Sequence, residues 1–287
     1  MRNVIRLLLV MASTTTTVTL ADGPSTDPLR VAWNDNYLTI SGPFPGDTLS
    51  VQYLEAYCKP ESRVREWSES VISHQSQVIS ASDDQRSLTL LDKLSDGVTV
   101  RHEITAGTDE IDFRLTAHNP NTDRSLAEWA VPCIQVDRFT GCGLADPEAT
   151  VPEYAKKCFV FLDGKLTRLP TTPWATEARY TPGQAYCPVH VNHDSVDPRP
   201  LSELVPSNGL TGCYSGDEKR IMANAWQPYQ ELSLGVATCI HSDIRIGGLE
   251  PGETKQIRGK IYFVGDDIEE LVQRYNRDFP EHMSADH

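Results

Sequence analysis

Residues 174–194 contain the densest group of side chains that could bind a ligand or do chemistry. They offer aromatic rings, a guanidinium group, two imidazoles and a carboxylate, contributed by Trp174, Arg179, Tyr180, Tyr186, His190, His193 and Asp194. Aromatic faces cover the C–H surface of a sugar-like ligand, and Arg and Asp give directional hydrogen bonds to its hydroxyl groups. We interpret this segment either as one wall of a binding site or as a surface loop that its aromatic residues hold in place.

The spacing of His190 and His193, with Asp194 beside them, is also compatible with a metal ion. A catalytic zinc site needs three protein ligands and one open position. The third ligand would have to come from elsewhere in the chain, from His241, Asp243 or His118. The alternative is a pair of solvated or hydrogen-bonded histidines. We expect no cofactor and keep a bound metal ion as the alternative.

A second group of candidate residues lies between Trp226 and Asp243. Histidine titrates near neutral pH, so His241 is a candidate for general acid–base chemistry, with Glu231 as its partner in proton transfer. We predict one strand over residues 232–240, so that His241 lies where this strand reaches an edge of its sheet. The alternative places Trp226 and Tyr229 in the core and leaves His241 and Asp243 bonded to each other in a turn.

Polar residues on or beside predicted strands form a third group, which consists of Glu55, Tyr57, His118, Glu128 and Arg138. Alternation along the strands would place some of them on one concave sheet face, where ligands often bind. The alternative for each is an ordinary exposed strand position. The sequence has no GxSxG motif and no glycine-rich phosphate loop, which argues against a serine hydrolase of that type and against nucleotide binding.

The elements that must position these residues are mostly short strands. Apolar residues alternate with polar ones over 98–104 and again over 111–117, and the polar turn between them predicts a β-hairpin. Further strands are indicated at 37–41, 49–57, 71–80, 87–91, 158–162, 221–226 and 257–264. One helix is predicted after Asp266 or Asp267, and Pro280 ends it. With 19 prolines and 18 glycines, this pattern predicts an all-β chain, a large antiparallel β-sandwich with long loops and one C-terminal helix.

The first residues are typical of an export signal. Arg2 and Arg6 precede an apolar run over 7–12, and Thr19 and Ala21 place small residues at a cleavage site. The apolar run is shorter than the roughly 20 residues that span a bilayer. We predict a signal peptide over 1–21, a single domain over 22–287, and a periplasmic or extracellular location without membrane insertion after cleavage. The alternative is a disordered N-terminal tail.

The net charge and the cysteines limit which partners and which covalent or metal sites the chain can have. The chain has 26 basic and 40 acidic residues, which argues against nucleic acid and against an anionic membrane surface as partners. Export permits disulfides, and we expect between none and two from the seven cysteines: Cys58, Cys133, Cys142, Cys158, Cys187, Cys213 and Cys239. Their wide spacing contains no CxxC motif, which makes a structural zinc site improbable.

Two passages resemble the galactose-mutarotase-like group of antiparallel sandwiches. One is His118-Asn119-Pro120 with the following segment 128–132, and the other is the turn 248–254 with Leu249-Glu250-Pro251-Gly252-Glu253 before the last strand. This resemblance implies a concave sheet face that holds carbohydrate. Epimerases of the group use paired histidines and a glutamate to move protons, but here Asp194-Ser195-Val196 follow Asn192-His193 where aromatic residues are expected. The mature chain also resembles a family of exported bacterial proteins of uncharacterised activity.

Together these features predict an exported carbohydrate-binding or carbohydrate-active protein with acid–base chemistry of an epimerase or lyase type. The acid–base candidates are His190, His193, His241 and Glu231. The ligand-binding candidates are Trp174, Arg179, Tyr180, Asp194, Trp226, Arg138 and His118. The alternatives are a non-catalytic module that binds a cell-envelope component and a metal-dependent hydrolase.

Overall fold

The computed structural model describes residues 27–144, 151–174, 183–235 and 237–282. The predicted signal peptide over 1–21 and the candidate residues Arg179 and Tyr180 lie outside these ranges. Strands are numbered along the chain. The first sheet contains β1 (Arg30–Asn34), β2 (Tyr37–Ser41), β3 (Thr48–Cys58), β4 (Val71–Ile72), β9 (Trp129–Gln135), β12 (Gly183–Tyr186), β15 (Tyr229–Gly235) and β16 (Cys239–Arg245). Their order is β1-β2-β3-β9-β16-β15-β12, with β4 paired to β3.

The second sheet has nine strands. They are β5 (His74–Ala81), β6 (Ser87–Leu94), β7 (Thr99–Ala106), β8 (Glu110–His118), β10 (Cys158–Leu162), β11 (Lys165–Arg168), β13 (Thr211–Tyr214), β14 (Arg220–Gln227) and β17 (Thr254–Gly265). Their order is β11-β10-β13-β14-β17-β8-β7-β6-β5, with antiparallel pairing throughout. Two large antiparallel sheets confirm the predicted all-β sandwich.

The described helices are few and short. The α-helices are α1 (Trp67–Ser70), α2 (Asp137–Thr140) and α3 (Ile268–Asp278), and short 3-10 helices are formed by Glu153–Lys157, His193–Ser195 and Pro280–His282. The side chain of Asp267 accepts a hydrogen bond from the backbone N–H of Glu270 and so caps α3, which confirms the predicted C-terminal helix. None of the helices within the described ranges has the length and apolar character that crossing a bilayer requires.

The main core lies between the two sheets. Alternate residues of β7 and β8 face it, such as Ile104 and Phe113, which lie opposite each other in the pairing register. The register confirms the predicted hairpin. Trp226 of β14 packs on Phe113 with 5.1 Å between ring centroids. A methyl group at Gly259 would lie 2.2 Å from the Trp226 ring, so only glycine fits beside this indole.

The predicted strand over 232–240 is wrong in its extent. The chain forms two strands there, because β15 ends at Gly235 and Thr238 has a left-handed backbone with φ of 55° before β16 begins. The turn reverses the chain, and β16 pairs with β15 on one side and with β9 on the other. His241 therefore lies inside the first sheet rather than at an edge.

Candidate functional site

Alternate side chains of β9, β15 and β16 point away from the main core. Leu232, Leu234 and Ile240 face the core, so their neighbours in sequence face the opposite side of the first sheet. We call the polar residues on this outer face the polar cluster, which comprises Cys133, Glu231, Ser233, Cys239, His241 and Asp243. All six are buried, and Glu231, His241 and Asp243 have no exposed surface. Ionisable groups are rarely buried in this way unless they are paired or functional.

A segment that we call the strap, residues 194–199, covers the polar cluster. Its backbone N–H at Asp197 donates a 2.9 Å hydrogen bond to Oε2 of Glu231. The guanidinium of Arg199 donates to Ser233 at 3.0 Å and to the carboxylate of Asp197 at 2.9 Å. The side chain of Gln230 donates to the carbonyl of Ser195 at 2.9 Å. The strap is thus bonded along β15.

The loop after β3 holds the other side of the strap. The hydroxyl of Ser62 donates to the carbonyl of Val196 at 3.2 Å, and the indole N–H of Trp129 donates to that hydroxyl at 3.2 Å. The backbone N–H of Arg63 donates to the carbonyl of Asp194 at 2.9 Å. Hydrogen bonds on both sides explain why the polar cluster is closed to solvent.

Three residues at alternate positions of β16 form a line of polar contacts. Sγ of Cys239 lies 3.1 Å from Nε2 of His241. Nδ1 of His241 lies 3.6 Å from Oδ1 of Asp243, which is an ion-pair distance rather than a hydrogen bond. On β9, the pairing of Ile134 with Ile240 places Cys133 opposite His241. One ligand atom from each of Cys133, Cys239 and His241 lies within 4.8 Å of the other two.

Several polar atoms in this site are buried without a hydrogen-bond partner among the described residues. They are Oε1 of Glu231, Nδ1 of His241, both carboxylate oxygens of Asp243 and Nε of Arg199. Buried polar groups in native proteins nearly always have partners, and an unpaired one needs an explanation. The concentration of such atoms at one place distinguishes this cluster from the rest of the described structure.

Burial shifts the acidic groups of the cluster toward their neutral forms. Burial raises the pKa of Glu231 well above its ordinary value, and the nearby carboxylates of Asp243 and Asp197 add to the rise. Burial also raises the pKa of Asp243 to about 6, although the interaction with His241 opposes the rise. Burial thus favours the neutral, proton-carrying form of Glu231.

The thiol and imidazole of the cluster favour their charged forms. A hydrogen bond from Cys133 lowers the pKa of Cys239 well below its ordinary value, and the neighbouring His241 contributes to the same effect against burial. Burial alone would lower the pKa of His241, but the charge of Cys239 outweighs it and raises this pKa to about 10. These shifts favour a thiolate at Cys239 and an imidazolium at His241.

Of the residues that the sequence singled out, the structure brings together Glu231, His241 and Asp243. His190, His193 and Asp194 are exposed, and the ring of His190 packs on Tyr229 with 6.4 Å between centroids. Among the described residues, these histidines form no group of three possible metal ligands. Asp194 contributes its backbone to the strap rather than a side chain to the cluster.

The remaining candidates lie away from the polar cluster. Trp174 and Trp226 belong to the main core, so neither ring is open to a ligand on the outer face. His118 bonds to Thr254 at 2.9 Å on β8 of the second sheet. Arg138 is exposed on α2. The seven cysteines, each within the described ranges, are free thiols.

Sequence reasoning missed Cys133, Asp197, Arg199 and Ser233 as members of the site. A signal for part of it exists, because Cys239, His241 and Asp243 alternate along one strand and must share a face. This alternation can be recognised from the sequence only if the strand is taken to begin at Cys239. The contributions of Cys133 and of the strap depend on contacts between distant parts of the chain.

Fold and site thus define an antiparallel β-sandwich with a closed polar cluster on one sheet. No protein-family model and no curated protein matches the sequence. Among solved structures, a galactose mutarotase-like protein from Lactobacillus casei ATCC 334 is similar with a TM-score of 0.42 at 11% identity, covering 82% of this chain and 99% of that one. Slr1438 from Synechocystis sp. PCC 6803 gives 0.40 at 12% identity, covering 88% and 99%.

A galactose mutarotase related enzyme from Lactobacillus acidophilus is also similar, with a TM-score of 0.40 at 9% identity, covering 82% of this chain and 97% of that one. The chain is similar to these three structures over most of its length. Similarity of fold does not establish activity, so the chemistry of this chain depends on its own residues.

Proposed function

We propose that the protein is exported and binds a carbohydrate at the polar cluster, where Glu231 donates a proton to an oxygen of the bound sugar. The observation that carries this proposal is Oε1 of Glu231, which is fully buried and has no partner among the described residues. A carboxyl group kept neutral in such surroundings is suited to act as a general acid.

The composition of the site supports a ligand rich in hydroxyl groups. A sugar hydroxyl donates one hydrogen bond and accepts up to two. The site offers both kinds of partner within a few residues, from the guanidinium of Arg199, the hydroxyl of Ser233 and the carboxylate of Asp243. A polyhydroxylated ligand could bond to the unpaired Nε of Arg199 and to the unpaired oxygens of Asp243, whereas an apolar ligand would leave these atoms unpaired.

A proton donor alone does not complete an epimerisation or an elimination, since another group must accept a proton. Asp243 fills this position, because it lies on β16 beside β15 and both of its oxygens lack hydrogen-bond partners among the described residues. In the proposed reaction, an epimerisation by ring opening, Glu231 gives a proton to the ring oxygen while Asp243 accepts the proton of the anomeric hydroxyl, so that the bond between the anomeric carbon and the ring oxygen breaks and the anomeric carbon becomes a carbonyl. After rotation about the neighbouring C–C bond, the reverse transfers close the ring and restore both groups.

Access to Glu231 requires the strap to move. The side chain has no exposed surface, and hydrogen bonds from both sides hold residues 194–199 over it. We infer that a ligand replaces part of these contacts, in particular the bonds to Glu231 and Ser233, when it enters. Weakening the strap should therefore change the rate of ligand binding more than the chemistry that follows.

Export rests on the sequence pattern over 1–21. The test is N-terminal sequencing of the mature protein from a periplasmic or secreted fraction of the cells that produce it. A start near residue 22 supports cleavage, whereas an intact N-terminus in the cytoplasmic fraction contradicts it. This test is independent of what the protein binds.

Binding is tested by calorimetric titration of the mature chain with a panel of monosaccharides and cell-envelope oligosaccharides. The matched variants are Glu231→Gln, which keeps the shape of the side chain, and His193→Gln on the exposed turn. If the proposal is correct, the unaltered protein binds a sugar, and the His193→Gln variant binds it with the same affinity. Binding without turnover in the unaltered protein supports the non-catalytic alternative, and no binding of any sugar overturns the proposal.

A further inference from the structure

We propose that Cys133, Cys239 and His241 bind a thiophilic divalent cation, with zinc as the cation to test. One Sγ or imidazole nitrogen from each residue lies within 4.8 Å of the other two, and all three residues are buried. Thiolate and imidazole are the ligands that zinc prefers in proteins. This site goes beyond the proposed sugar chemistry and involves neither Glu231 nor the sugar.

The backbone fixes the three ligands from two hydrogen-bonded strands. Cys239 and His241 are two residues apart on β16, so their side chains lie on the same face. The register of Ile240 with Ile134 places Cys133 of β9 opposite His241. Ligands on paired strands inside a sheet are held more rigidly than ligands on loops, which favours a preformed site.

The distances are close to those of a zinc centre. Zinc lies at about 2.3 Å from sulfur and about 2.0 Å from nitrogen, which separates tetrahedral S and N ligands by about 3.5 Å. Sγ of Cys239 and Nε2 of His241 are 3.1 Å apart. An opening of a few tenths of an ångström, within the reach of small side-chain rotations, would admit the ion. The fourth position would remain for water.

Asp243 completes the arrangement behind the histidine. Its Oδ1 lies 3.6 Å from Nδ1 of His241, on the side of the ring away from the thiols. Metal-binding histidines usually direct their second nitrogen to a carboxylate or carbonyl, which fixes the ring orientation. This contact directs Nε2 toward Cys239, as the proposed site requires.

A comparison within the chain shows what distinguishes this pair of cysteines. Cys158 of β10 and Cys213 of β13 are also buried and lie directly opposite each other in the register. No group of three possible ligands forms around them among the described residues. They therefore provide a matched control, with two neighbouring thiols in a sheet but no histidine.

The test measures metal uptake by the purified mature chain without any sugar. The protein is reduced, stripped with a chelator, and titrated with zinc and separately with cobalt. We expect one zinc per chain by elemental analysis and a thiolate-to-cobalt charge-transfer band in the near ultraviolet. Cys239→Ser and His241→Gln should each lower zinc affinity at least tenfold, whereas Cys213→Ser should leave it unchanged.

Three results would overturn the proposed metal site. Failure of the unaltered chain to take up zinc or to give the cobalt band overturns the proposal, and so does a band that survives in both variants. A count of two missing thiols in the freshly purified, denatured protein, together with no metal uptake, would replace the metal site with a Cys133–Cys239 disulfide. Circular dichroism shows whether each variant is folded. If a variant is unfolded, zinc uptake and the cobalt band of the unaltered chain decide whether the metal site exists.

Discussion

The backbone N–H of Asp197 donates a 2.9 Å hydrogen bond to Oε2 of Glu231, and this bond joins the strap to the first sheet. It satisfies one oxygen of the carboxyl group and leaves the other, Oε1, without a partner among the described residues. This side chain thus helps to hold the strap closed and presents an unpaired oxygen within the polar cluster. Glu231 therefore has a structural role in the strap as well as the proposed role as proton donor.

The buried carboxyl of Glu231 should make stability depend on pH. Its folded-state pKa is raised by burial, with Asp243 facing it from β16 and Asp197 and Arg199 facing it from the strap. An acid with a raised folded pKa is protonated in the folded chain while the unfolded chain ionises above its ordinary pKa of about 4.3. The free energy of unfolding therefore falls as pH rises from that value toward the folded pKa.

Glu231→Gln removes this dependence. Relative to the unaltered protein, the variant should gain up to about 1.4 kcal/mol in unfolding free energy for each pH unit across that window. Urea denaturation at pH 5, 6, 7 and 8 measures the difference. Glu103→Gln, at an exposed position of β7, is the control and should follow the unaltered protein. Equal pH slopes for Glu231→Gln and the unaltered protein would contradict the buried neutral carboxyl.

The ion pair between Arg199 and Asp197 should be important for the strap. Both side chains are about nine-tenths buried and lie 2.9 Å apart. Arg199→Met would leave the Asp197 carboxylate buried without its partner, which should cost about 3–5 kcal/mol of unfolding free energy. Chemical denaturation measures this loss, and limited proteolysis shows whether the strap opens first.

The exposed pair of Arg65 and Glu61 provides the comparison for that measurement. Its side chains are about half exposed, so Arg65→Met should cost no more than about 1 kcal/mol. Similar losses for the two variants would mean that the Arg199 ion pair does not hold the strap.

Close packing of Trp226 on Gly259 predicts a sharp difference between two glycines of β17. A methyl group at Gly259 meets the indole at 2.2 Å, while one at Gly265 meets nothing within 4 Å. Gly259→Ala should lower the unfolding free energy by about 1–3 kcal/mol through overpacking. Gly265→Ala should change it little. Thermal denaturation of both variants makes the comparison, and equal melting temperatures would show that the core beside Trp226 can relax.

Local patterns were enough to predict much of the fold. The alternation that includes Ile104 and Phe113 predicted the β7–β8 hairpin, and Asp267 followed by an apolar face predicted α3. The turn between β15 and β16 escaped prediction because residues 232–240 are mostly apolar and contain no Pro, Asn or Asp, and Thr238 gives no local sign of its left-handed backbone. Continuous apolar runs do not reveal where a buried strand ends.

The sequence predicted only those members of the site that residue type alone makes candidates. Glu231 and His241 were selected for their chemistry, and both lie in the polar cluster. Cys133 escaped selection because its approach to Cys239 depends on the pairing of β9 with β16, which brings together distant parts of the chain. Arg199 escaped because the strap acquires its position from tertiary hydrogen bonds to β15 rather than from any periodic pattern.

Proton transfer from Glu231 to a bound sugar can be tested by the rate of catalysed exchange at that sugar. The probe is the monosaccharide that binds best, followed by NMR exchange spectroscopy with the unaltered chain, Glu231→Gln and His193→Gln. We expect Glu231→Gln to bind the sugar but to catalyse exchange at least about 100-fold more slowly, while His193→Gln matches the unaltered chain. Full exchange activity in Glu231→Gln would contradict this expectation.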